Sequence, residues 1–483
     1  MTAMPLDRRI ELSPEEMRAF GYRAVDRIVE RLSALPDEPV AATASRAEME
    51  ARLREPPPET GLGWEAALDR AMAHVFRPMT HNAHPRFFAY VPGPGNFVGA
   101  MADALAAALN PFAGAWVMGP GVAQAELVTV DWLRDACGLP EGAGGLFVSG
   151  GSMANLTALA AARHRLLGED FGRAVIYCSD QAHSSIERGA RVLGFRADQL
   201  RKLPTDDGFR LRMDALQSAA AEDRAAGRTP FCVAASAGTT NTGAVDPLPE
   251  IAALCRAESM WMHVDGAYGA AAALTDEGRE ALRGLGEADS VSLDAHKWLF
   301  QPFECGCVLV RHADALTDAF RLVPAYLRDS DRATEEVNFR DRGVQLTRGF
   351  RAFKLWMTVQ VFGMGAFREA VAWGMRLARV AEEELRASDA WVVDTPAQLG
   401  IVTFRLRADE GDPHAADDLQ RRITSALAAD GYALLSTTEL RGRTVLRLCT
   451  INPRTTEDDV RQTVRRMERI GRALAGSRAE VGG

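Results

Sequence analysis

Apolar residues recur at helical spacing near the start of the chain, at Met17, Phe20, Ala24, Ile28 and Leu32. The sequence Ser-Pro-Glu-Glu at positions 13–16 precedes them, which places serine at an N-cap, proline at the first helical position and glutamate three residues after the cap. This combination predicts a capped amphipathic helix. Because no strand pattern lies beside it, we expect its apolar stripe to pack on another part of the molecule or on a second subunit.

Between about residues 88 and 365, short apolar runs alternate with helical stretches. The runs at 173–178, 231–236, 261–265 and 305–310 are typical of strands. Such alternation predicts a largely parallel α/β sheet with helices on both faces. In sheets of this kind, ligands bind beyond the carboxyl ends of the strands.

The pattern changes again after about Phe367. A long charged helical segment at 368–386 is followed by alternating segments at 400–405 and 444–449, which together predict a small α+β domain. We therefore expect a helical N-terminal segment at 1–87, a large domain at 88–365 and a small C-terminal domain at 366–483.

The composition, with 47% hydrophobic and 25% charged residues, is that of a globular protein. A net charge of -9 provides no basic field for nucleic acid or an anionic membrane, so we expect neither partner. Seven cysteines without a C-x-x-C pair indicate reduced thiols, and no apolar run follows the first ten residues, so we expect a cytoplasmic protein. The uncharged stretch 104–125 is interrupted by proline and glycine and predicts buried helix and loop. We predict no metal site.

Lysine is scarce in this chain. Of the 56 basic residues only Lys202, Lys297 and Lys354 are lysines. Arginine replaces a surface cation, but its guanidinium stays protonated and cannot form a Schiff base. Each remaining lysine is therefore a candidate for chemistry that requires a primary amine.

Two residues, 32 positions apart, suggest what that chemistry is. Asp265 ends an apolar run beside small residues, and Lys297 lies in the sequence Asp-Ala-His-Lys-Trp. Taken alone, Asp265 is more often a helix N-cap and Lys297 a solvated cation. Together they indicate pyridoxal 5'-phosphate (PLP), whose aldehyde joins a lysine and whose ring cation pairs with a carboxylate.

A PLP site also needs a phosphate cradle. Two glycines and a serine at 150–152 follow an apolar segment and open an alanine-rich helix, whose N-terminal N–H groups can hold phosphate. His183 and Thr240 follow two other predicted strands, where the ring of one could stack on the cofactor and the hydroxyl of the other could reach it. A helix cap or core histidine and a plain turn are the alternatives.

Several longer motifs carry a family resemblance. The segments 84–90 (HPRFFAY), 179–185 (SDQAHSS), 263–268 (HVDGAY) and 295–298 (AHKW) resemble those of the group II PLP-dependent amino-acid decarboxylases, nearest to the aromatic-L-amino-acid decarboxylases. The resemblance runs in order from about residue 10 to 470. It implies PLP fold type I, the architecture of aspartate aminotransferase.

The resemblance also implies roles for individual residues. Lys297 would bind the cofactor covalently, Asp265 would pair with its pyridine nitrogen, and His183 would stack on its ring. The phosphate would be held by Gly151 and Ser152. The cofactor would further be lined by Thr240, Asp294 and His296, although the family commonly has asparagine where Asp294 stands.

The segment 324–328 (PAYLR) resembles the mobile catalytic loop of these decarboxylases. In the family the loop tyrosine, here Tyr326, reaches the site of a neighbouring subunit, and the enzymes are obligate dimers of fold type I. The resemblance thus implies a homodimer with shared active sites. A swapped N-terminal helix would account for the apolar stripe that begins after Ser13.

The same resemblance places the substrate pocket at Phe87, Tyr90, Gly93, Trp116 and His183. Gly93 and Gly114 replace bulkier family residues, which could admit an indole ring. Arg86 could instead pair with an acidic substrate. We expect decarboxylation of tryptophan, phenylalanine, tyrosine or dopa to the amine and carbon dioxide, before glutamate or aspartate.

Three other functions are alternatives for a chain with these motifs. A decarboxylation-dependent aldehyde synthase uses the same cofactor with oxygen, but in that branch the loop tyrosine is typically phenylalanine, so Tyr326 argues against it. An aminotransferase of this fold would lack the loop motif. A non-catalytic binding protein could lose the Schiff-base lysine, which this chain keeps.

Overall fold

The computed structural model describes residues 10–322, 336–407 and 412–479. The helices are α1 (Pro14–Ala34), α2 (Arg46–Leu53), α3 (Trp64–Ala71), α4 (Phe97–Leu109), α5 (Pro120–Ala136), α6 (Gly151–Leu167), α7 (Ser184–Val192), α8 (Met213–Ala225), α9 (Leu248–Ala257), α10 (Asp276–Ala281), α11 (Asp314–Phe320), α12 (Ala352–Arg386), α13 (Pro413–Asp430) and α14 (Glu457–Ala479). The strands are β1 (Gly144–Val148), β2 (Ala174–Ser179), β3 (Leu200–Leu203), β4 (Thr229–Ser236), β5 (Trp261–Asp265), β6 (Ser290–Asp294), β7 (Gly306–Val310), β8 (Trp391–Gln398), β9 (Ile401–Leu406), β10 (Ser436–Leu440) and β11 (Arg443–Cys449).

The strands β1 to β7 form one sheet in the order β1-β7-β6-β5-β4-β2-β3. Neighbours from β6 to β3 pair in parallel, whereas β7 is antiparallel to both β1 and β6. Every residue of β1, β2, β6 and β7 is buried, as expected for strands covered by helices on both faces. The expectation of a largely parallel α/β sheet is confirmed.

A second, antiparallel sheet has the order β10-β11-β9-β8. Helices α12, α13 and α14 cover it through a core that includes Leu377, Ile423, Val460 and Phe404. The predicted α+β character of the C-terminal part is confirmed. The predicted charged helix is longer than expected, since α12 begins at Ala352 and is interrupted at Gly363, whose φ is 75°.

The N-terminal helix α1 begins as predicted. Ser13 caps it, and the side chain of Glu16 accepts a hydrogen bond from the Ser13 backbone N–H in a complete capping box. No residue of α1 is buried, although Phe20 contacts Trp64 of α3 at a ring-centroid distance of 5.6 Å. The division of the chain at 87/88 and 365/366 stays a prediction.

The uncharged stretch 104–125 is helix and loop as expected, but only a few of its residues, including Ala113, Ala115 and Ala123, are buried in the single chain. Leu109 is 80% exposed and Met118 is 65% exposed, because no described segment of the chain covers the end of α4 or the turn before α5. Within the described residues no helix is long and apolar enough to cross a membrane. The seven cysteines are all buried and free.

Candidate active site

A cavity of about 380 Å³ opens at the edge of the large sheet where the parallel strands end. Strand β5 ends at Asp265 and β6 at Asp294, and the helices α6 and α7 begin at the same edge. The cavity is lined by every residue that the sequence predicted to bind the cofactor, namely Gly151, Ser152, His183, Thr240, Asp265, Asp294, His296 and Lys297.

Only one of the three lysines reaches this cavity. The amine of Lys202 is paired on the surface with Glu187 at 2.8 Å. Lys354 is buried and donates to the carbonyl oxygens of Pro302 and Glu304. Lys297 follows β6 in a turn, and its Nζ lies 3.0 Å from Oδ2 of Asp294. The structure therefore selects Lys297 as the amine available for covalent chemistry.

Asp265 is held at the end of β5 by three donors. Its Oδ1 accepts hydrogen bonds from the Ala267 backbone N–H and the Ser292 hydroxyl, both at 3.1 Å. Its Oδ2 accepts one from the Asn155 side-chain amide at 2.9 Å. This arrangement fixes a carboxylate at the floor of the cavity, where it can pair with a ring cation.

The turn before α6 leaves no room for side chains. A Cβ on Gly151 would lie 2.8 Å from Cβ of Ala267, and a Cβ on Gly306 of β7 would lie 2.4 Å from Cα of Gly150. The first N–H groups of α6 have no partner within the helix, and no side chain caps them. The backbone at Gly151 and Ser152 is therefore free to bind an anion.

Asp294 lies against this turn with 3% of its side chain exposed. Its Oδ2 faces Lys297, while its Oδ1 is buried without a hydrogen-bond partner. A Cβ on Gly151 would lie 3.0 Å from Oδ2, so the carboxylate adjoins the predicted phosphate cradle. Its role in cofactor binding stays a prediction.

His183 and His296 both line the cavity. His183 caps α7, and its Nδ1 accepts the backbone N–H of Ser185 at 3.2 Å. Nδ1 of His296 lies 3.0 Å from the carbonyl oxygen of Cys305, and its ring meets Phe303. Desolvation lowers the pKa of both imidazoles, so both rings are neutral near pH 7.

Of the residues predicted to bind substrate, His183 lines this cavity, whereas Phe87, Tyr90, Gly93 and Trp116 do not line it within the described part of a single chain. Phe87 is buried in a small cluster with Val40 and Ala89, and Trp116 packs beside the large sheet. Tyr90 is 68% exposed, and its backbone oxygen accepts a hydrogen bond from Arg447. Gly93 lies against the backbone of His296, since a Cβ there would be 2.8 Å from the carbonyl oxygen of that residue. The substrate roles stay predictions.

The space beside two glycines, which was expected to admit an indole ring, is already occupied by neighbouring side chains. A Cβ on Gly93 would lie 2.7 Å from the ring of Phe303, and a Cβ on Gly114 would lie 2.7 Å from the ring of Phe112. The missing side chains thus make space for other groups of the same chain.

Arg86 is also fully engaged. It donates to the carbonyl oxygens of Tyr432 and Pro36 at 2.8 and 2.7 Å, and it pairs with Asp459 at 3.2 Å. Its guanidinium lies 4.5 Å from the centroid of the Tyr432 ring. Arg86 therefore joins the N-terminal segment to the C-terminal part of the chain and is not available to an acidic substrate.

Comparison with known proteins agrees with this geometry. Residues 48–407 match the model of the pyridoxal-dependent decarboxylase conserved domain. The chain belongs to the pyridoxal-dependent decarboxylase family. It is 45% identical to an aromatic-L-amino-acid decarboxylase of Bacillus atrophaeus over 97% of this chain and 98% of that protein. It is 30% identical to phenylacetaldehyde synthase of Arabidopsis thaliana over 93% of this chain and 95% of that protein.

The fold agrees as well. The crystal structure of Oryza sativa TDC with PLP and tryptamine matches with a TM-score of 0.91 and 29% identity, over 98% of this chain and 100% of that one. This decarboxylase-family chain is a PLP enzyme of fold type I, as the sequence predicted.

The residues present fit the cofactor. The cavity offers an amine at Lys297, a carboxylate at Asp265 that three donors hold in place, and a turn at Gly150 that a single Cβ would obstruct. Among the described residues no group of histidine, cysteine, aspartate and glutamate side chains is placed to hold a metal ion. Tyr326 of the predicted catalytic loop lies outside the described residues.

Sequence reasoning missed several residues that hold the site together. Ser185 lies within the 179–185 motif, Asn155 and Ser292 lie close to the 150–152 and Asp-Ala-His-Lys-Trp motifs, and none of the three was given a role. The hydrogen bonds of Asn155 to Asp265 and to Ser185, and of Ser292 to Asp265, join segments that are separated in the sequence by 110, 30 and 27 positions. A buried asparagine in a helix that faces strand β5 was the available signal.

Proposed function

We propose that this chain converts an aromatic L-amino acid into the corresponding amine and carbon dioxide, with PLP bound covalently to Lys297. The observation that carries the proposal is the convergence of Lys297, Asp265 and the turn before α6 on one cavity. Lys297 is one of only three lysines in the sequence, and it lines this cavity.

Bound PLP supplies an electron sink for the electron pair of the carbon–carbon bond that breaks. Asp265 keeps a proton on the ring nitrogen, because its negative charge favours the charged form of that nitrogen. The N–H groups at Gly151 and Ser152 hold the phosphate at the positive end of α6. His183 would stack on the ring, and the Lys297 amine would hold the cofactor when no substrate or product amine is bound.

Two observations favour an aromatic substrate over an acidic one. Arg86, the cation that could have paired with an acidic side chain, is engaged by Asp459, Tyr432 and Pro36. The relative from Bacillus atrophaeus is named for aromatic L-amino acids, and an Oryza sativa relative with 34% identity is a tyrosine decarboxylase. We do not rank tryptophan, phenylalanine, tyrosine and dopa.

We further propose a homodimer in which Tyr326 of each subunit serves the other's site. Support comes from apolar side chains that the single chain leaves exposed near α4 and α12, including Leu109, Met118 and Phe362. Such exposed groups are typical of surfaces that a partner covers. Lys297→Ala and Tyr326→Phe proteins, each inactive as an amine producer alone, should regain activity when their subunits exchange. Lack of recovery after proven exchange would place Tyr326 in its own subunit's site.

The cytoplasmic location stays a prediction from the cysteine pattern.

The second candidate function is aldehyde synthesis, because the relative from Arabidopsis thaliana is named as a phenylacetaldehyde synthase. We propose that the Tyr326 hydroxyl donates the proton that completes the amine, a contribution of ~10²–10⁴-fold for a general acid. Tyr326→Phe should then still consume substrate but yield more aldehyde, together with ammonia and peroxide. Amine produced at the native rate without peroxide would exclude this role.

The proposed function is tested by supplying the PLP-loaded enzyme with each of the twenty amino acids and dopa, and measuring amine and carbon dioxide. We expect both products in equal amounts from one or more aromatic substrates. Turnover of glutamate or aspartate alone would overturn the substrate class, and production of a keto acid would indicate an aminotransferase.

A further inference from the structure

A row of polar side chains lies buried between strand β5, strand β6 and helix α6. On β5, Trp261, His263 and Asp265 alternate with apolar residues and therefore face the same side of the sheet. His263 pairs in register with Ser290 of β6. Asn155 of α6 is fully buried, as are His263 and Ser290. A buried polar row of this kind must be hydrogen-bonded throughout to be tolerated.

The row is continuous from the indole of Trp261 to the carboxylate of Asp265. Trp261 Nε1 lies 2.8 Å from Ser290 Oγ, which lies 2.9 Å from His263 Nδ1. His263 Nε2 lies 2.9 Å from Asn155 Oδ1. The Asn155 amide nitrogen lies 2.9 Å from Asp265 Oδ2.

The same amide nitrogen starts a second branch. It lies 2.8 Å from Ser185 Oγ, which lies 2.8 Å from His183 Nδ1. One side chain thus contacts, directly or through one hydroxyl, the group that would pair with the ring nitrogen of the cofactor, Asp265, and the group that would stack on the ring, His183.

Donor and acceptor chemistry allows only one polarity along this row. A carboxylate can only accept, so the Asn155 atom that faces Asp265 is the NH₂ group and the atom that faces His263 is the oxygen. His263 must then donate from Nε2. The indole of Trp261 can only donate, so the Ser290 hydroxyl accepts from it and gives its own proton to the bare Nδ1 of His263.

The branch to His183 is fixed in the same way. Ser185 Oγ accepts from the Asn155 amide and has its own proton left for His183 Nδ1, which is already an acceptor for a backbone N–H. The backbone N–H of Ser185, which can only donate, also points at this nitrogen from 3.2 Å. Two donors on one nitrogen leave no place for a proton there, so neutral His183 carries its proton on Nε2.

We propose that Asn155 is a positioning residue that orients Asp265 and His183 together and holds His183 as the Nε2–H tautomer. Any hydrogen bond or proton that neutral His183 gives into the cavity then comes from Nε2. Burial agrees with neutral rings, because desolvation lowers the pKa of His263 to about 4 and also lowers that of His183. The inference rests on PLP binding at this site, which is part of the proposed function, but not on the identity of the substrate.

The test begins with Asn155→Asp and Asn155→Leu in the full-length protein, compared with the wild type by PLP titration between pH 5.5 and 8.5. Aspartate places two carboxylates face to face, so we expect PLP affinity to fall ~10-fold or more at the alkaline end. As the pH falls, one shared proton restores a hydrogen bond, and the difference from wild type should shrink. Leucine cannot titrate, so the loss of PLP affinity in Asn155→Leu should stay the same fraction of the wild-type affinity at every pH.

Other ionisable groups around this pair are His183 at the start of α7, Arg188 of α7, His263 of β5, Asp294 at the end of β6 and Lys297 after it. All of them are common to the three proteins, so the ratio of affinities isolates position 155. Parallel pH profiles for the two variants would show a packing role only and would overturn the proposal.

A second measurement does not depend on those variants folding. Nitrogen-15 spectra of histidine-labelled holoenzyme, with the His183 signals assigned from their loss in His183→Gln, should show Nδ1 unprotonated and Nε2 protonated at pH 7.5. Ser185→Ala removes the hydroxyl donor but keeps the backbone N–H, so it should raise the share of the Nδ1–H tautomer above that of the wild type while PLP affinity falls less than in Asn155→Asp. A protonated Nδ1 in the wild type would contradict the proposed polarity. Neither measurement involves decarboxylation. A failure of the inference about Asn155 is therefore distinguishable from a failure of the proposed function.

Discussion

The close approach of Gly306 to Gly150 makes the phosphate cradle testable by a single methyl group. A Cβ on Gly306 would lie 2.4 Å from Cα of Gly150 and 2.7 Å from Oδ1 of Asp294. Ordinary contacts begin at 3.4 Å, so Gly306→Ala must displace the Gly150 backbone by about 1 Å. Strands β1 and β6 hold Gly306 on both sides and prevent β7 from withdrawing.

Such overpacking costs about 1–3 kcal/mol. If the displacement falls on the turn that holds the phosphate, PLP affinity should drop by ~5- to 100-fold, since about 1.4 kcal/mol corresponds to a factor of ten. The assay is a PLP titration followed by protein fluorescence, with thermal unfolding of the cofactor-free protein measured in parallel.

Gly286 provides the matched control. A Cβ there would lie 2.3 Å from the carbonyl oxygen of Gly138, a backbone clash of the same kind, and Gly286 does not line the active-site cavity. Gly286→Ala should lower the unfolding temperature without changing PLP affinity. If Gly306→Ala binds PLP as tightly as the wild type, or if both variants lose affinity equally, the turn before α6 is not the cradle.

Three further outcomes are expected. Borohydride reduction of the yellow holoenzyme should fix the cofactor on the peptide that contains Lys297, and peptide mass spectrometry identifies the labelled residue. Arg348→Met leaves Glu126 buried and unpaired, since their side chains are 1% and 0% exposed, so urea unfolding should show a loss of about 3–5 kcal/mol, part of which Glu126→Gln should restore. Desolvation by burial, aided by the positive charge of Arg86, lowers the pKa of His84 to about 4. The unfolded chain takes up this proton near pH 6.5, so the free energy of unfolding should fall between pH 6.5 and 4 by up to roughly 3 kcal/mol, and by less in His84→Gln.

Much of the fold follows from local signals in the sequence. The capping box at Ser13 and the apolar runs that became β2, β4, β5 and β7 were recognisable because each depends on neighbouring residues. The order of the strands could not be recognised in the sequence. The antiparallel position of β7 between β1 and β6 depends on the pairing of β7 with β1, whose residues lie more than 150 positions away.

The candidate site divides in the same way. Lys297 and Asp265 could be selected because scarcity and position at a strand end mark them in the sequence. The structural role of Arg86 could not be predicted, because its partners Tyr432 and Asp459 lie 346 and 373 positions away. Asn155 was overlooked for the same reason, as its bond to His263 spans 108 positions.

The most direct test of the central claim is the fate of the α-carbon. The PLP-loaded enzyme is supplied with an aromatic L-amino acid in deuterium oxide, carbon dioxide is quantified, and the organic product is analysed by mass spectrometry. The account predicts one amine per carbon dioxide, with a single deuterium on the carbon that lost the carboxylate. A keto acid without carbon dioxide, or an aldehyde with peroxide as the main product of the wild-type enzyme, would contradict it.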